Sequence, residues 1–351
     1  MGVRDVEITK MVIGNYKENE VIEYNIKNNN GIEVGILNLG GIITKIITPD
    51  NEGNLENIVL SYKDKENYFT NPTYYGALIG RTAGRIGGSK AILNEEEYEF
   101  YPNYNPNTGH GGKEGFDKKI WNVEEITSDN ECGLELTYYS VHGEEGYPGN
   151  VDVKVKYILN NDNELKLLIK ANSDRDTLFN MTNHSYFNLS GNYKRDITKS
   201  ELMMNCDEFL EINETGAITG KSISCENTPF DFRIKKEIGK DINANNKQLE
   251  LGNGYDHPFI FNNEKGCIVL EESKSGRGLK VETNQPSVVI YTTNFPGDEE
   301  LATGQKPKFR EAICLETQAP PISESGIFTK QSILKKDEEY FKETKYKFYI
   351  V

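Results

Sequence analysis

Long hydrophobic runs are missing from this chain of 351 residues. No apolar stretch approaches the roughly 18 residues of a membrane span. The best candidate, GIITKIIT, is short and is broken by Lys45. Basic charge is also in deficit: 40 Lys and Arg stand against 55 Asp and Glu, a net charge of −15. Such a surface repels phosphate backbones, which argues against a nucleic-acid partner. The N-terminal MGVRDVEITK has no apolar core of the signal-peptide kind. Gly2 invites N-myristoylation, but Val6 stands where Ser or Thr is required. The five cysteines, at 132, 206, 225, 267 and 314, are odd in number and form no Cys-x-x-Cys pair. With no export signal, they read as reduced, buried thiols of a cytoplasmic protein. No spacing of the His-x-x-x-His kind appears, so a metal site is disfavoured.

Helical periodicity is scarce as well. DKENYF near Tyr68 and RIKKEIGKDI near Ile238 suggest no more than short helical turns. Strand signals dominate instead. VDVKVKYIL alternates Val151, Val153, Val155 and Tyr157 with Asp152, Lys154 and Lys156, a period of two with one dry and one wet face. ELKLLIKA, GLELTYYSV, SVVIYTTNF and KYKFYIV are rich in β-branched and aromatic residues. TPDNEGN, LNNDNE, NNEKG and SKSGRG supply turns between them. The glycine-rich GRTAGRIGGSK lacks the G-K-[ST] ending of a phosphate loop and reads as a tight β connection. No composition shift or repeat marks a boundary. The expectation is an all-β chain, its sheets packed face to face as one domain over 1–351.

Four stretches carry unusual chemistry. In TNHSYFNL, read as a short strand, alternation places His184 and Tyr186 on one face and Asn183 and Ser185 on the other. In NTGHGG, glycines beside His110 permit close backbone approach to a ligand. GYDHPFIF sets Asp256 and His257 in a loop before a strand. AICLETQAPP places Glu316 within an apolar strand end, where partial desolvation favours the protonated carboxyl. Each also has a bland reading: a core histidine, an ordinary turn, an edge-strand carboxylate.

Taken together and in order, GALIGRTAGRIGGSK, GHGGKEGFDKKIW, GEEGYPGNVDVKVKYIL, TNHSYFNLSG, NTPFDFR, GYDHPFIF, YTTNF and ICLETQAPP resemble the motifs of the aldose 1-epimerases, or galactose mutarotases. The resemblance implies a large antiparallel β-sandwich of the galactose mutarotase type. It implies an isomerase that interconverts the α and β anomers of free aldoses such as galactose or glucose. It makes His184 the general acid and Glu316 the general base, and it places Arg85, His110 and Asp256 on the sugar hydroxyls, with Tyr186 beside the pocket. Ring opening and closure need one acid and one base, so no cofactor is expected. The sole expected partner is a small aldose. Gly84 stands where many relatives have Asn, Val289 where relatives often have Gln or an aromatic residue, and QAPPIS replaces the more usual Q-x-x-P-D. These departures alter the pocket rim. A glycoside hydrolase using Glu316 and Asp256, a non-catalytic sugar-binding sandwich and a hexose-phosphate epimerase are the competing readings.

Overall fold

The computed structural model describes residues 6–351. Gly2, the residue on which the myristoylation reading turned, lies outside the described residues. Three antiparallel sheets hold most of the strand residues of the described chain. The largest has nine strands and includes Glu131–Ser140, Val151–Asn160, Glu164–Ser173, Tyr340–Ile350, Arg277–Thr283 and Gly266–Glu272, hydrogen-bonded in that order. A five-stranded meander covers Glu7–Tyr16 to Leu55–Asn57. The third sheet has six strands in the order Tyr186–Phe187, Ile313–Gln318, Ser287–Tyr291, Asp256–Ile260, Glu208–Ile212 and Ile218–Ser224.

The period-two pattern of VDVKVKYIL is realised directly. Val151, Val153, Val155, Tyr157 and Leu159 are buried, while Asp152 and Lys154 are exposed. Their apolar face meets Phe259, Val288, Ile290, Ile313 and Leu315 of the six-stranded sheet, and Ile26, Val34 and Ile36 of the meander, in one core. The architecture is therefore all-β with sheets facing across a shared core. Three-residue and five-residue 3₁₀ turns at Ile238–Lys240 and Lys65–Phe69 match the two expected helical turns. One short α-helix, Lys247–Gly252, capped by the Asn246 side chain, has no counterpart in the sequence reading.

The six-stranded sheet matters most here, because both its faces are covered. Ile313 and Leu315 point into the core, so Cys314 and Glu316 point to the other side. There, loops carrying residues 72–74, 84–85, 104–110 and 321 close over the strands and leave a cavity. A central strand covered on both faces explains why Ile313–Gln318 is buried at every position.

Candidate active site

Register on the six-stranded sheet sets the floor of the cavity. Glu316 pairs with Val289, which pairs with Pro258. One row along, Tyr186 pairs with Cys314, Cys314 with Tyr291, and Tyr291 with Asp256. Extending the Tyr186–Cys314 pairing by two residues places His184 opposite Glu316. The side chains meet: His184 Nε2 lies 3.4 Å from Glu316 Oε1.

Two local assignments need correction. His184 is not inside a strand. It occupies an extended break between the two-residue strands Thr182–Asn183 and Tyr186–Phe187. Its backbone is held instead by loop residues: its N–H donates to Ala77 O at 2.9 Å, and its carbonyl accepts from Gly76 N–H at 3.0 Å. The alternation nonetheless persists. His184 and Tyr186 line the cavity. Asn183 turns away to donate to Gly76 O at 2.8 Å, and Ser185 donates to Asn183 Oδ1 at 2.6 Å. Asp256 is not in a loop but opens the strand Asp256–Ile260. Its neighbour His257 faces the core between Phe209 and Phe230, and its Nδ1 accepts the Asp256 N–H at 3.1 Å. The Asp256–His257 pair is thus a carboxylate at the cavity and a core imidazole that pins its backbone.

Arg85 and His110 arrive together because Arg85 pairs with Gly109 in a two-residue ladder. The His110 N–H then donates to Gly84 O at 2.9 Å. Gly111 follows at φ +87°, and a Cβ there would fall 1.8 Å from Gly80 O, so this turn requires glycine. The Arg85 guanidinium lies over the Tyr104 ring, 5.4 Å from its centroid. All six residues singled out from the sequence, Arg85, His110, His184, Tyr186, Asp256 and Glu316, line one cavity of about 420 Å³. Tyr74, Tyr104, Tyr291 and Phe295 line it too. The sequence analysis gave none of these four a role: Tyr74, Tyr104 and Phe295 lie outside regular strands, where single aromatics carry no periodic signal, and Tyr291 is the last residue of its strand.

Burial dominates the electrostatics. Glu316 is 2% exposed and His184 5%. Desolvation pushes the Glu316 carboxyl well above its ordinary range, Asp256 adds to the rise, and Arg85 opposes it. Desolvation lowers His184 to about 4, against a smaller opposing contribution from its own backbone. Asp256 is raised by burial and held back by Arg85, and burial pushes His110 well down. Burial therefore favours a neutral pair, with Glu316 as the carboxylic acid and His184 as the neutral imidazole. Three buried polar atoms at the cavity have no protein partner: Glu316 Oε2, His110 Nδ1 and Arg85 Nε. Unpaired buried groups of this kind mark places where a polar ligand gains most.

His184, Cys314 and Glu316 together offer three ligand atoms within 4.8 Å. Glu316 sits at Nε2, whereas Cys314 Sγ sits 3.6 Å from Nδ1. Each side chain lies nearest a different ring nitrogen, whereas a metal ion would bind the imidazole through one nitrogen alone.

Comparison with known proteins decides the class. The family model for aldose 1-epimerase matches residues 23–347. The chain belongs to the aldose 1-epimerase family. It is 36% identical over 310 residues to the galactose mutarotase of Bos taurus, covering 87% of this chain and 88% of that protein. It is 36% identical over 270 residues to the aldose 1-epimerase of Haemophilus influenzae, covering 76% and 77%. The crystal structure of galactose 1-epimerase from Lactobacillus acidophilus superimposes with a TM-score of 0.89 at 30% identity, covering 98% of this chain and 99% of that one. The cavity brings together two imidazoles, His110 and His184, and two carboxyls, Asp256 and Glu316. Among the described residues, no helix is long and apolar enough to cross a membrane.

Proposed function

We propose that this chain, acting as one sandwich unit, is a mutarotase for free aldoses in which Glu316 and His184 move the protons. The observation that carries the reading is the 3.4 Å approach of His184 Nε2 to Glu316 Oε1 inside a closed-over cavity. A sugar placed there presents its anomeric hydroxyl to Glu316 Oε2, the carboxyl oxygen without a protein partner. A hydrogen bond donated to that oxygen favours the ionised carboxylate and drives the pair's proton onto Nε2. Glu316 then takes the anomeric proton while His184 gives its Nε2 proton to the ring oxygen. The bond between C1 and the ring oxygen breaks, and an open-chain aldehyde forms. Rotation about C1–C2 and the reverse transfers close the ring on the other face and restore both groups.

Arg85, His110 and Asp256 hold the remaining hydroxyls, so that only the C1 end turns. Tyr186 spends its own hydroxyl on Thr73 O at 2.9 Å, and its ring stacks on His184 with centroids 5.1 Å apart. Its part is therefore to fix the imidazole and to offer a wall to the sugar. Five free thiols support a cytoplasmic setting. The altered rim at Gly84 and Val289 supports a preference not confined to galactose.

Polarimetry of freshly dissolved α-glucose and α-galactose tests the assignment. Glu316→Gln and His184→Asn should each lower kcat by roughly 10²–10⁴-fold, the worth of a positioned proton-transfer group. The double variant should be little worse than the worse single one, because neither group is useful alone. A folded single variant that mutarotates within a few-fold of the parent sinks the assignment.

A further inference from the structure

The His184 imidazole is packed on several sides and open to the cavity. Tyr74 and Tyr186 stack on it at interplanar angles of 24°, with centroids at 6.0 and 5.1 Å, and His110 meets it edge-on at 5.2 Å. Glu316 stands at Nε2 and Cys314 at Nδ1. The last two come from one strand, two residues apart and on one face. The strand that supplies the carboxyl therefore also supplies the group at the far nitrogen.

We propose that Cys314 is a positioning residue: its sulfur accepts the Nδ1–H of His184 and keeps Nε2 as the only nitrogen that exchanges a proton. The proposal rests on the reading of His184 and Glu316 as the proton-transfer pair. An imidazolium that gives up its Nε2 proton leaves a neutral ring with its hydrogen on Nδ1, and that Nδ1–H then needs an acceptor. The opposite tautomer would carry the hydrogen on Nε2 and could neither take the proton of Glu316 nor recover the one lent to the ring oxygen. Sγ lies 3.6 Å from Nδ1, within reach of a hydrogen bond to sulfur. The carbonyl of His184 itself, which also accepts the Gly76 N–H, is a second acceptor for Nδ1–H, and like the sulfur it holds the hydrogen on that nitrogen. Burial holds the Cys314 thiol well above its ordinary range, so it stays a neutral thiol. A weak neutral acceptor suits an acid that must release its proton. A carboxylate at Nδ1 would stabilise the imidazolium and make it a poorer donor.

The chain has four histidines, so nitrogen NMR of the ¹⁵N-histidine-labelled full-length protein is tractable, with His184→Asn used to identify the His184 signals. At pH 7.5 the parent should show a protonated Nδ1 and an unprotonated Nε2 at His184. Cys314→Ala should produce a mixture of tautomers, and Cys314→Ser, which keeps an acceptor, should restore the parent pattern. In polarimetry Cys314→Ala should lose roughly two- to tenfold in kcat, the worth of one modest hydrogen bond, with little change in KM. Cys314→Ser should recover most of it. A parent His184 protonated on Nε2 overturns the proposal without any variant being needed, which covers the case in which Cys314→Ala fails to fold. An unchanged tautomer in folded Cys314→Ala overturns it as well. If His184→Asn keeps full activity, the proton-transfer reading falls instead, whatever the tautomer.

Discussion

His184 and Glu316 are placed where neither would choose to be charged, and that has a consequence for stability as well as for rate. The Glu316 carboxyl is held above its ordinary 4.5 in the folded chain. Between that value and its folded one, the native state binds more protons than the unfolded state, so stability falls as pH rises. His184 is depressed from 6.5 to about 4, so there the unfolded state binds more protons, and stability falls as pH drops through that window. Above 6.5 the imidazole no longer contributes a slope, and Glu316 alone remains. Glu316→Gln mimics the protonated carboxyl and cannot ionise. It should melt with the parent near pH 4 and a few degrees above it near pH 7.5, while losing activity. Differential scanning calorimetry across that range is the check, and a variant that melts below the parent at pH 7.5 contradicts the account. A site that sacrifices stability for function is a common trade.

At the scale of elements, what could be read in advance followed from periodicity. Alternation in VDVKVKYIL, and in ICLETQ once its apolar members are assigned to the core, determines which side chains share a face. The second case puts Cys314 beside Glu316 at the site. Periodicity could not bring Glu316 to His184, because a register between residues so far apart in sequence is a tertiary fact. That pairing entered through the family resemblance. Tyr74 and Phe295 were illegible for a related reason: each sits in a turn whose position is fixed by what it packs against. The short helix Lys247–Gly252 was missed because six residues are too few to show a period. Two rim departures that looked separate in sequence are one feature in the fold. Gly84 has φ +70°, and a Cβ there would meet Pro321 Cγ at 2.8 Å, so Gly84 and the second proline of QAPPIS accommodate each other. Asn tolerates this backbone region, so the obstacle to the residue common in relatives is the proline ring. Gly84→Asn alone should therefore lower both melting temperature and kcat/KM. Adding Pro321→Ala should recover part of the loss, with a coupling of about 0.5–3 kcal/mol in a double-mutant cycle. Simple additivity of the two changes would show that the contact is not the constraint.

Across the whole molecule, the site depends on a strand that supports it from behind. Tyr340–Ile350 lies between Glu164–Ser173 and Arg277–Thr283 and pairs with both, so it joins the first half of the nine-stranded sheet to the second. Tyr346 and Phe348 are buried in the shared core, Tyr346 packs on Phe187, and Thr344 bonds Thr317, the neighbour of Glu316, at 2.7 Å. Removing it would expose two strand edges in mid-sheet, leave rows of unpaired N–H and C=O groups, and uncover the back of the floor on which Glu316 stands. Loss of those two ladders and the buried aromatics is of the same order as the roughly 5–15 kcal/mol that typically separates folded from unfolded chains. Truncation after Glu339 should thus yield aggregated or unfolded protein, with no cooperative melt in circular dichroism and no mutarotation. By contrast, Tyr346→Phe keeps the ring in place and should remain folded and active. A truncated chain that melts cooperatively and turns over glucose would show that the six-stranded sheet is held by its own loops, and that the strand linking the two halves is dispensable to the site.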